Sequence, residues 1–577
     1  MPIVTLTIDG KQVQVEQGAT ILEAAKKANI NIPTLCYLKD INAIGACRIC
    51  VVEVQGARSL QASCVAPVSE GMVVFTSSPA VRESRKMTLE MILSDHPFEC
   101  LTCVRNQNCE LQRLAEAFGL RDVYYKGERS VHPIDDSSVS IIRDPAKCVL
   151  CRRCVAVCEK VQTVSAIGPQ NRGFNTVIAP TTTMKLADSS CVNCGQCVLA
   201  CPTAALHERD QIDEVWAALA DPNKHVVLQT APAVRVALGE EFGMPPGSVV
   251  TGQMVAAIRR LGFDRVFDTD FTADLTIMEE GSELIERISH NGVLPLLTSC
   301  SPGWIKFIEH FYPELLPNVS TCKSPQQMFG ALAKTYYAQK AGIDPANIFS
   351  VSVMPCTAKK FEAQRPEMNS SGYRDVDVVL TTRELARMMK QAGIDFTDMP
   401  EEDYDAPLGI STGAAVIFGA TGGVMEAALR TAYELITKTT LPSVDFYDVR
   451  GLEGVKESTV QVGDLPVKVA VAHGLGNARK LLDAVKAGKA DYHFIEIMCC
   501  PGGCIGGGGQ PIPTNLEVRA QRIAGIYTAD ERMTLRKSHE NPAIKQIYEE
   551  FLEHPLSHKS HELLHTHYQT RSKYIIK

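Results

Sequence analysis

Hydrophobic and polar positions alternate at the start of the chain. Two such runs, Val4 to Ile8 and Gln12 to Val15, flank Asp9-Gly10, a dipeptide suited to a tight turn, and the pattern predicts a β-hairpin. The period becomes helical over Thr20 to Asn29, with Thr20 placed as the N-cap and Glu23 three residues further on. A hairpin followed by a helix suits a small ferredoxin-like sheet, so residues 1–78 are read as one domain. Helical spacing returns from Pro79 to Ser94 and opens a second segment, 79–140. Residues 141–209 form a third, a cysteine-rich double unit that is the internal repeat. From 210 to 577, strand-like apolar runs (His225 to Leu228, Ile348 to Met354, Val467 to Ala472) alternate with helical ones, as in an α/β domain.

With 577 residues, 45% of them hydrophobic and 21% charged, the chain is ordinary globular material and too long for one core, which agrees with several domains. A net charge of -8 argues against a general nucleic-acid surface, and the absence of a polybasic run argues against a membrane anchor. The expected partners are proteins and small molecules. No window reaches the roughly 18 to 20 apolar residues of a membrane helix, and the N-terminus carries no signal-peptide pattern, so a soluble cytoplasmic protein is expected. Twenty-one cysteines in that compartment point to metal ligation rather than disulfides, because most fall in tight groups.

Cys36, Cys47, Cys50 and Cys64 follow the hairpin and helix with spacing C-x10-C-x2-C-x13-C, and four soft thiolates suit a 2Fe-2S cluster. The long first gap departs from the plant-type ferredoxin pattern. It resembles the ferredoxin-like domain shared by large hydrogenases and a respiratory complex I subunit. His96, Cys100, Cys103 and Cys109 mix one imidazole with three thiolates, a set that zinc could also take. Relatives of the same kind carry a His-ligated 4Fe-4S cluster here. The runs Cys148, Cys151, Cys154, Cys158 and Cys191, Cys194, Cys197, Cys201 each read C-x2-C-x2-C-x3-C, with Pro202 after the second. In two-cluster ferredoxins the fourth cysteine of each run ligates the other cluster. That rule assigns Cys148, Cys151, Cys154 and Cys201 to one 4Fe-4S cluster, and Cys191, Cys194, Cys197 and Cys158 to the other. Four clusters in succession make a wire, which must end at a catalyst.

Three later segments resemble the signature motifs of iron-iron hydrogenases: Thr298-Ser299-Cys300-Ser301-Pro302-Gly303-Trp304, Met354-Pro355-Cys356-Thr357-Ala358-Lys359-Lys360-Phe361-Glu362, and Glu496 to Pro511 with Cys499-Cys500-Pro501-Gly502-Gly503-Cys504 at its centre. The resemblance implies a C-terminal α/β hydrogenase domain (210–577) preceded by a plant-type ferredoxin-like domain, a domain whose 4Fe-4S cluster takes one histidine and three cysteines, and a bacterial double 4Fe-4S ferredoxin domain. It implies an H-cluster, a 4Fe-4S cubane joined through a cysteine to a two-iron subsite bearing CO, cyanide and an amine dithiolate. By that match Cys356, Cys500 and Cys504 ligate the cubane, with Cys504 as the bridge. Lys359 donates to a cyanide, and Met354, Met498, Pro232, Gln326 and Phe418 line the pocket. Cys300 takes the proton-donating position, followed outward by Glu280, Ser320, Glu283 and Arg287. From its residues alone, Glu279 to Glu283 reads first as a solvated helix face, and the resemblance alone makes it a relay.

Ser301 stands where the family has a second ligating cysteine. A serine alkoxide is a harder donor than thiolate and matches iron-sulfur chemistry poorly. Ser301, Cys300 and the extra thiol Cys499 are therefore all open as the fourth ligand. The implied function is reversible formation of H2 from protons and electrons; a hydrogen-sensing homologue and an iron-sulfur protein without the two-iron subsite are the alternatives. Gly506 to Gly509 does not follow a strand and open a helix, so no dinucleotide site is read there. The tail, Leu535 to Glu540 and Ser560 to Tyr568, resembles tails of hydrogenase subunits from NAD(P)-linked and electron-bifurcating complexes, which implies ferredoxin and flavin- or NAD(P)-binding partner subunits. Its histidines lack a ligand spacing and suit packing or docking.

Overall fold

In the computed structural model, which describes residues 2–181, 184–463 and 465–575, Asp9 and Gly10 take φ values of 46° and 80°. Those left-handed conformations let strands Ile3–Ile8 and Lys11–Glu16 pair antiparallel with Ile8 opposite Lys11. The hairpin joins Val73–Phe75, Val51–Val54 and Gln61–Ala62 in a five-stranded sheet. Helix Ile21–Lys27 begins where its capping box predicts: the Thr20 hydroxyl accepts from the Glu23 N–H (3.2 Å) and the Glu23 carboxylate from the Thr20 N–H (2.8 Å). Its Ile21, Ala24 and Ala25 pack on Leu6, Ile8 and Val13, and Cys50 and Cys64 sit in that core. The helix read over Pro79 to Ser94 forms with those bounds.

The chain divides into two units: Met1–Val161, Ser165–Ser189 and Ala200–His207 form one, and Gln162–Val164, Ser190–Leu199 and Glu208–Lys577 the other. The second unit is built on two four-stranded sheets. One, in the order Arg265–Asp268, His225–Thr230, Ile348–Met354, Val378–Thr381, is parallel throughout. The other, in the order Leu296–Leu297, Phe494–Met498, Leu465–His473, Val455–Val462, is parallel except for its last strand. The central strands are nearly continuous apolar runs because helices cover them. Met254, Val255 and Met388 pack on Val351 and Val378, while Val424, Met425 and Leu429 pack on Val469 and Phe494. Among the described residues, no helix is long and apolar enough to cross a membrane.

The C-terminal stretch is part of the second unit's core. Ile544, Ile547, Leu563 and Leu564 pack with Phe271, Leu275 and Phe329. Arg430, fully buried, donates to both oxygens of Asp530 (3.0 and 2.9 Å) and to Glu426 (2.8 Å), tying helix Gly423–Thr437 to helix Leu516–Arg532. Removing one partner from a buried charge network leaves the remaining charges undercompensated. Arg430→Met is expected to cost about 3 kcal/mol, read as a fall of several degrees in the midpoint of thermal unfolding. Arg430→Lys is expected to lose less, and an unchanged midpoint in both would place the tail's anchor elsewhere.

Candidate active site

Four turns meet where parallel strands end. His225–Thr230 leads to Pro232, Leu296–Leu297 to Cys300 and Ser301, Ile348–Met354 to Cys356, and Phe494–Met498 to Cys500 and Cys504. Ligands in α/β folds gather outside the carboxyl ends of parallel strands, where turn backbone and side chains converge. Here the strand ends of both sheets enclose one cavity of about 670 Å³. Cys300, Ser301, Cys356, Cys500 and Cys504 line it, together with Lys359, and Cys499 joins them. Met354, Met498, Pro232, Gln326 and Phe418 complete the wall, so each residue read as lining the pocket faces this space.

Local packing fixes the turns. Trp304 is fully buried and its indole N–H donates to the Thr298 carbonyl (2.9 Å), which holds the first motif at the start of helix Pro302–Phe311. Gly507 is required by contact: a Cβ there would lie 2.0 Å from the Pro355 carbonyl oxygen, so the second and third motifs touch backbone to backbone. Lys359 Nζ donates to Glu362 (2.9 Å) and to the Cys300 carbonyl (3.1 Å), and Gln326 donates to the same Glu362 oxygen (3.1 Å). Glu362 thus orients the lysine. Sequence reasoning gave it no role, although its position three residues after Lys359 on a helix was the available signal.

Ser301 and Cys499 are neighbours, since the Ser301 hydroxyl accepts from the Cys499 N–H (3.2 Å). The Cys499 thiol is hydrogen-bonded to Cys194 and Cys500, and that sharing pushes it up and holds Cys194 down. Gln162, also absent from the sequence reading, donates to the Cys499 carbonyl (3.1 Å) and accepts from the Leu475 N–H (2.9 Å). The loop bearing Cys191, Cys194 and Cys197 touches all three motifs. Lys306 donates to the Asn193 side chain (3.2 Å), Thr357 to the Asn193 carbonyl (2.7 Å), and Gln196 to the Gly506 carbonyl (2.8 Å).

The acidic segment of helix Thr269–Ser289 is buried, with Glu279 at 0%, Glu280 at 2% and Glu283 at 7% exposure, so the solvated-face alternative fails. Burial first, and the nearby Glu283 charge second, push Glu280 up to about 8; a hydrogen bond with Ser320 only partly opposes this. Ser320 donates to Glu283 (2.8 Å), and Arg287 donates to the other Glu283 oxygen (2.6 Å). Burial likewise pushes the Cys300 thiol well up, so it is held protonated beside Glu280. Ser320, Glu283 and Arg287 are thus joined by hydrogen bonds, with Glu280 hydrogen-bonded to Ser320 and Cys300 close enough to feel its charge.

In the first unit, Cys148, Cys151, Cys154 and Cys201 line a separate cavity of about 450 Å³. The Cys158 sulfur accepts from the Ala166 N–H (3.3 Å). Cys50 and Cys64 bring their sulfurs to 3.3 Å, well beyond the roughly 2.05 Å of a disulfide. Cys36 and Cys47 share a second thiol hydrogen bond, and within the two pairs Cys47 and Cys50 are lowered to about 6 while Cys36 and Cys64 are raised. Such paired, easily ionised thiols fit an iron-sulfur cluster. His96 is lowered to about 4, chiefly by burial, and so offers a neutral imidazole; Cys103 and Cys109 are half-buried and Cys100 is exposed. Among the described residues, the group of three or more Cys, His, Asp or Glu donors that converges within 4.8 Å is Glu434, His539 and Glu540, not His96 and its cysteines. Tetrahedral zinc with ligand bonds of about 2.3 Å would need such convergence.

Comparison with known proteins adds five family matches along the chain. Residues 2–79 match a 2Fe-2S iron-sulfur cluster binding domain, 85–123 an NADH-ubiquinone oxidoreductase-G iron-sulfur binding region, and 147–205 a 4Fe-4S dicluster domain. Residues 224–508 match the iron only hydrogenase large subunit, C-terminal domain, and 516–571 the iron hydrogenase small subunit. The NADP-reducing hydrogenase subunit HndD of Solidesulfovibrio fructosivorans is 56% identical over 99% of this chain and 100% of its own length. Iron hydrogenase 1 of Clostridium pasteurianum is 43% identical over 98% of this chain and 100% of its own. The structure of a variant of the FeFe hydrogenase HydA1 from Chlamydomonas reinhardtii superimposes with a TM-score of 0.57 at 46% identity, covering 63% of this chain and 100% of that one.

The raised pKa of Glu280 has a direct readout. Its carboxyl is neutral at pH 7 and loses its proton as pH rises through about 8. A protonated-carboxyl infrared band is expected to disappear over that range and to be missing in Glu280→Gln. A band that titrates near pH 4 to 5, the ordinary glutamate range, would refute this placement.

Proposed function

We propose, starting from the fact that the chain belongs to the iron-only (FeFe) hydrogenase family, that it is the hydrogen-activating subunit of a larger redox assembly. It is an oxidoreductase acting on H2, with iron-sulfur domains of the 2Fe-2S and 4Fe-4S kinds ahead of a hydrogenase domain. The observation that carries the finer reading is the convergence of Cys356, Cys500, Cys504 and Lys359 on one cavity at the strand ends of two sheets. Those thiols would hold a 4Fe-4S cubane joined to a two-iron subsite. When bound, that group supplies the redox and hydrogen-binding chemistry.

The chain's own residues hold the group and move its protons. Lys359, fixed by Glu362, presents an ammonium to an anionic ligand in the cavity. Met354, Met498, Pro232 and Phe418 exclude water and surround the subsite with polarizable, apolar contacts. Cys300, kept protonated by burial, donates at its Sγ and is refilled from Glu280, then Ser320 and Glu283. Cys300 is thereby reserved for proton transfer rather than ligation.

Cys36, Cys47, Cys50 and Cys64 would hold one 2Fe-2S cluster, His96, Cys100, Cys103 and Cys109 a 4Fe-4S cluster, and the paired cysteine runs two more, which would supply one-electron carriers to the site. A neutral His96 ligand removes one negative charge relative to thiolate and tunes its cluster's potential. The Cys191–Cys197 loop is the point of delivery, because Cys194 reaches Cys500 through the Cys499 thiol. Ser301 would serve as the fourth ligand, while the Cys499 thiol is hydrogen-bonded to Cys194 and Cys500. The name of the 56% identical relative, an NADP-reducing hydrogenase subunit, supports a multi-subunit assembly, for which we propose a cytoplasmic location and ferredoxin- and flavin- or NAD(P)-binding partners.

Two measurements test these points. Ser301→Cys, by replacing a hard donor with a soft one, is expected to retain cubane iron about tenfold longer under chelator than the parent protein, read by iron content and electron paramagnetic resonance. Unchanged retention, with iron lost instead in Cys499→Ser, would move the fourth corner to Cys499. The protein is expected to copurify with a flavin-containing subunit; a monomer fully active with ferredoxin alone would overturn the assembly.

A further inference from the structure

The proton series stops at Glu283 without an obvious next carrier. Its carboxylate accepts from Ser320, which leads inward, from Arg287 Nη2 (2.6 Å), and from the Thr321 N–H (3.2 Å) and hydroxyl (3.5 Å). Arg287 is spread over five donor N–H groups and has no acceptor, so it pins Glu283 but cannot take up a proton and pass it on. It is further occupied by the carbonyls of Val293 (3.1 Å) and Val319 (3.1 Å). The Thr321 hydroxyl both donates and accepts, and it lies 2.8 Å from Nδ1 of His565. The other ring nitrogen of His565 meets Glu279 at 3.1 Å, and the second Glu279 oxygen accepts from the Tyr548 hydroxyl (2.6 Å). His565 is itself 8% exposed, and the exposed ring of His561 packs against it, tilted by 40° with centroids 4.3 Å apart.

We propose that His565, carried by the C-terminal segment, is a proton-relay residue that connects Glu283 to solvent through the Thr321 hydroxyl. The inference rests on the reading of Cys300, Glu280, Ser320 and Glu283 as the inner path. In the step, the Nδ1 proton of the imidazolium passes to the Thr321 oxygen as the Thr321 hydroxyl proton passes to Glu283. One proton arrives on the carboxylate, the ring becomes neutral with its Nε2–H still on Glu279, and water beside His561 reprotonates it. No electron moves. Imidazole suits this place because it exchanges protons near neutral pH and presents a separate nitrogen to each side. The charged and titratable groups facing it are Glu279, the Cys322 thiol (4.0 Å from Nδ1) and His561; Glu283 and Glu286 act on His561, and Tyr548 backs Glu279.

A purely structural His565 would neutralise Glu279 and anchor the tail, so the test must move something that anchoring does not. In the whole, cluster-loaded protein, His565→Gln and His565→Phe are compared with the parent and with Glu283→Gln for iron content, thermal midpoint, H2 evolution from pH 5 to 9, and rescue by free imidazole. With iron content retained, His565→Gln is expected to lose about tenfold or more in rate, to change the parent's pH–rate profile, and to regain activity with imidazole. In unloaded protein, the infrared midpoint of the carboxyl band that Glu283→Gln removes is expected to shift in His565→Gln. If Glu283→Gln slows turnover while both His565 variants keep the parent's pH profile and carboxyl midpoint, the histidine route falls and the inner path stands. If Glu283→Gln leaves turnover unchanged, the inner path itself falls.

Discussion

The catalytic unit depends on one constraint: parallel strands end together. Each strand delivers its last residue to the same edge, where the backbone must turn and side chains point beyond the sheet. Two sheets oriented this way place Cys356 after Met354 and Cys500 after Met498 around one cavity, although 144 residues separate them in sequence (500 minus 356). Backbone packing makes the meeting tight, since Gly507 leaves no room for a Cβ against Pro355. Trp304, buried and tied to Thr298, holds the third turn to the same standard.

Burial then decides the chemistry of what the strands deliver. In a dry interior a charged group is costly unless it is paired, so unpaired groups become neutral and paired ones keep their charge. Burial raises Glu280 and Cys300, so both are neutral, while Lys359 is ion-paired with Glu362 and Glu283 with Arg287. The same logic governs the buried Arg430, which stays paired with Asp530 and Glu426 and so ties helix Gly423–Thr437 to helix Leu516–Arg532.

Local structure was largely legible from residues alone. Asp9-Gly10 set the hairpin, Thr20 and Glu23 set the first helix, and Pro79 to Ser94 formed as read, because turns and caps are short-range interactions written in adjacent residues. The cysteine spacings were equally direct. The pocket wall came from family resemblance, since Pro232, Gln326 and Phe418 have no local signature that separates them from ordinary core. The acidic run from Glu279 to Glu283 was ambiguous for the same reason: charge spacing along a helix does not say which face the rest of the chain will cover.

By itself, then, the sequence determined the hairpin, the start of the first helix at its cap and the kinds of cluster domain along the chain. Tertiary structure alone decided which thiols share a cavity, that Glu280 is buried and neutral, that Glu362 steadies Lys359, and that Cys499 lies between Cys194 and Cys500. It also decided that a histidine near the end of the chain stands against Thr321, 244 residues earlier. Ligand identity is a property of residues, whereas proximity, burial and acidity arise only when distant segments pack against one another.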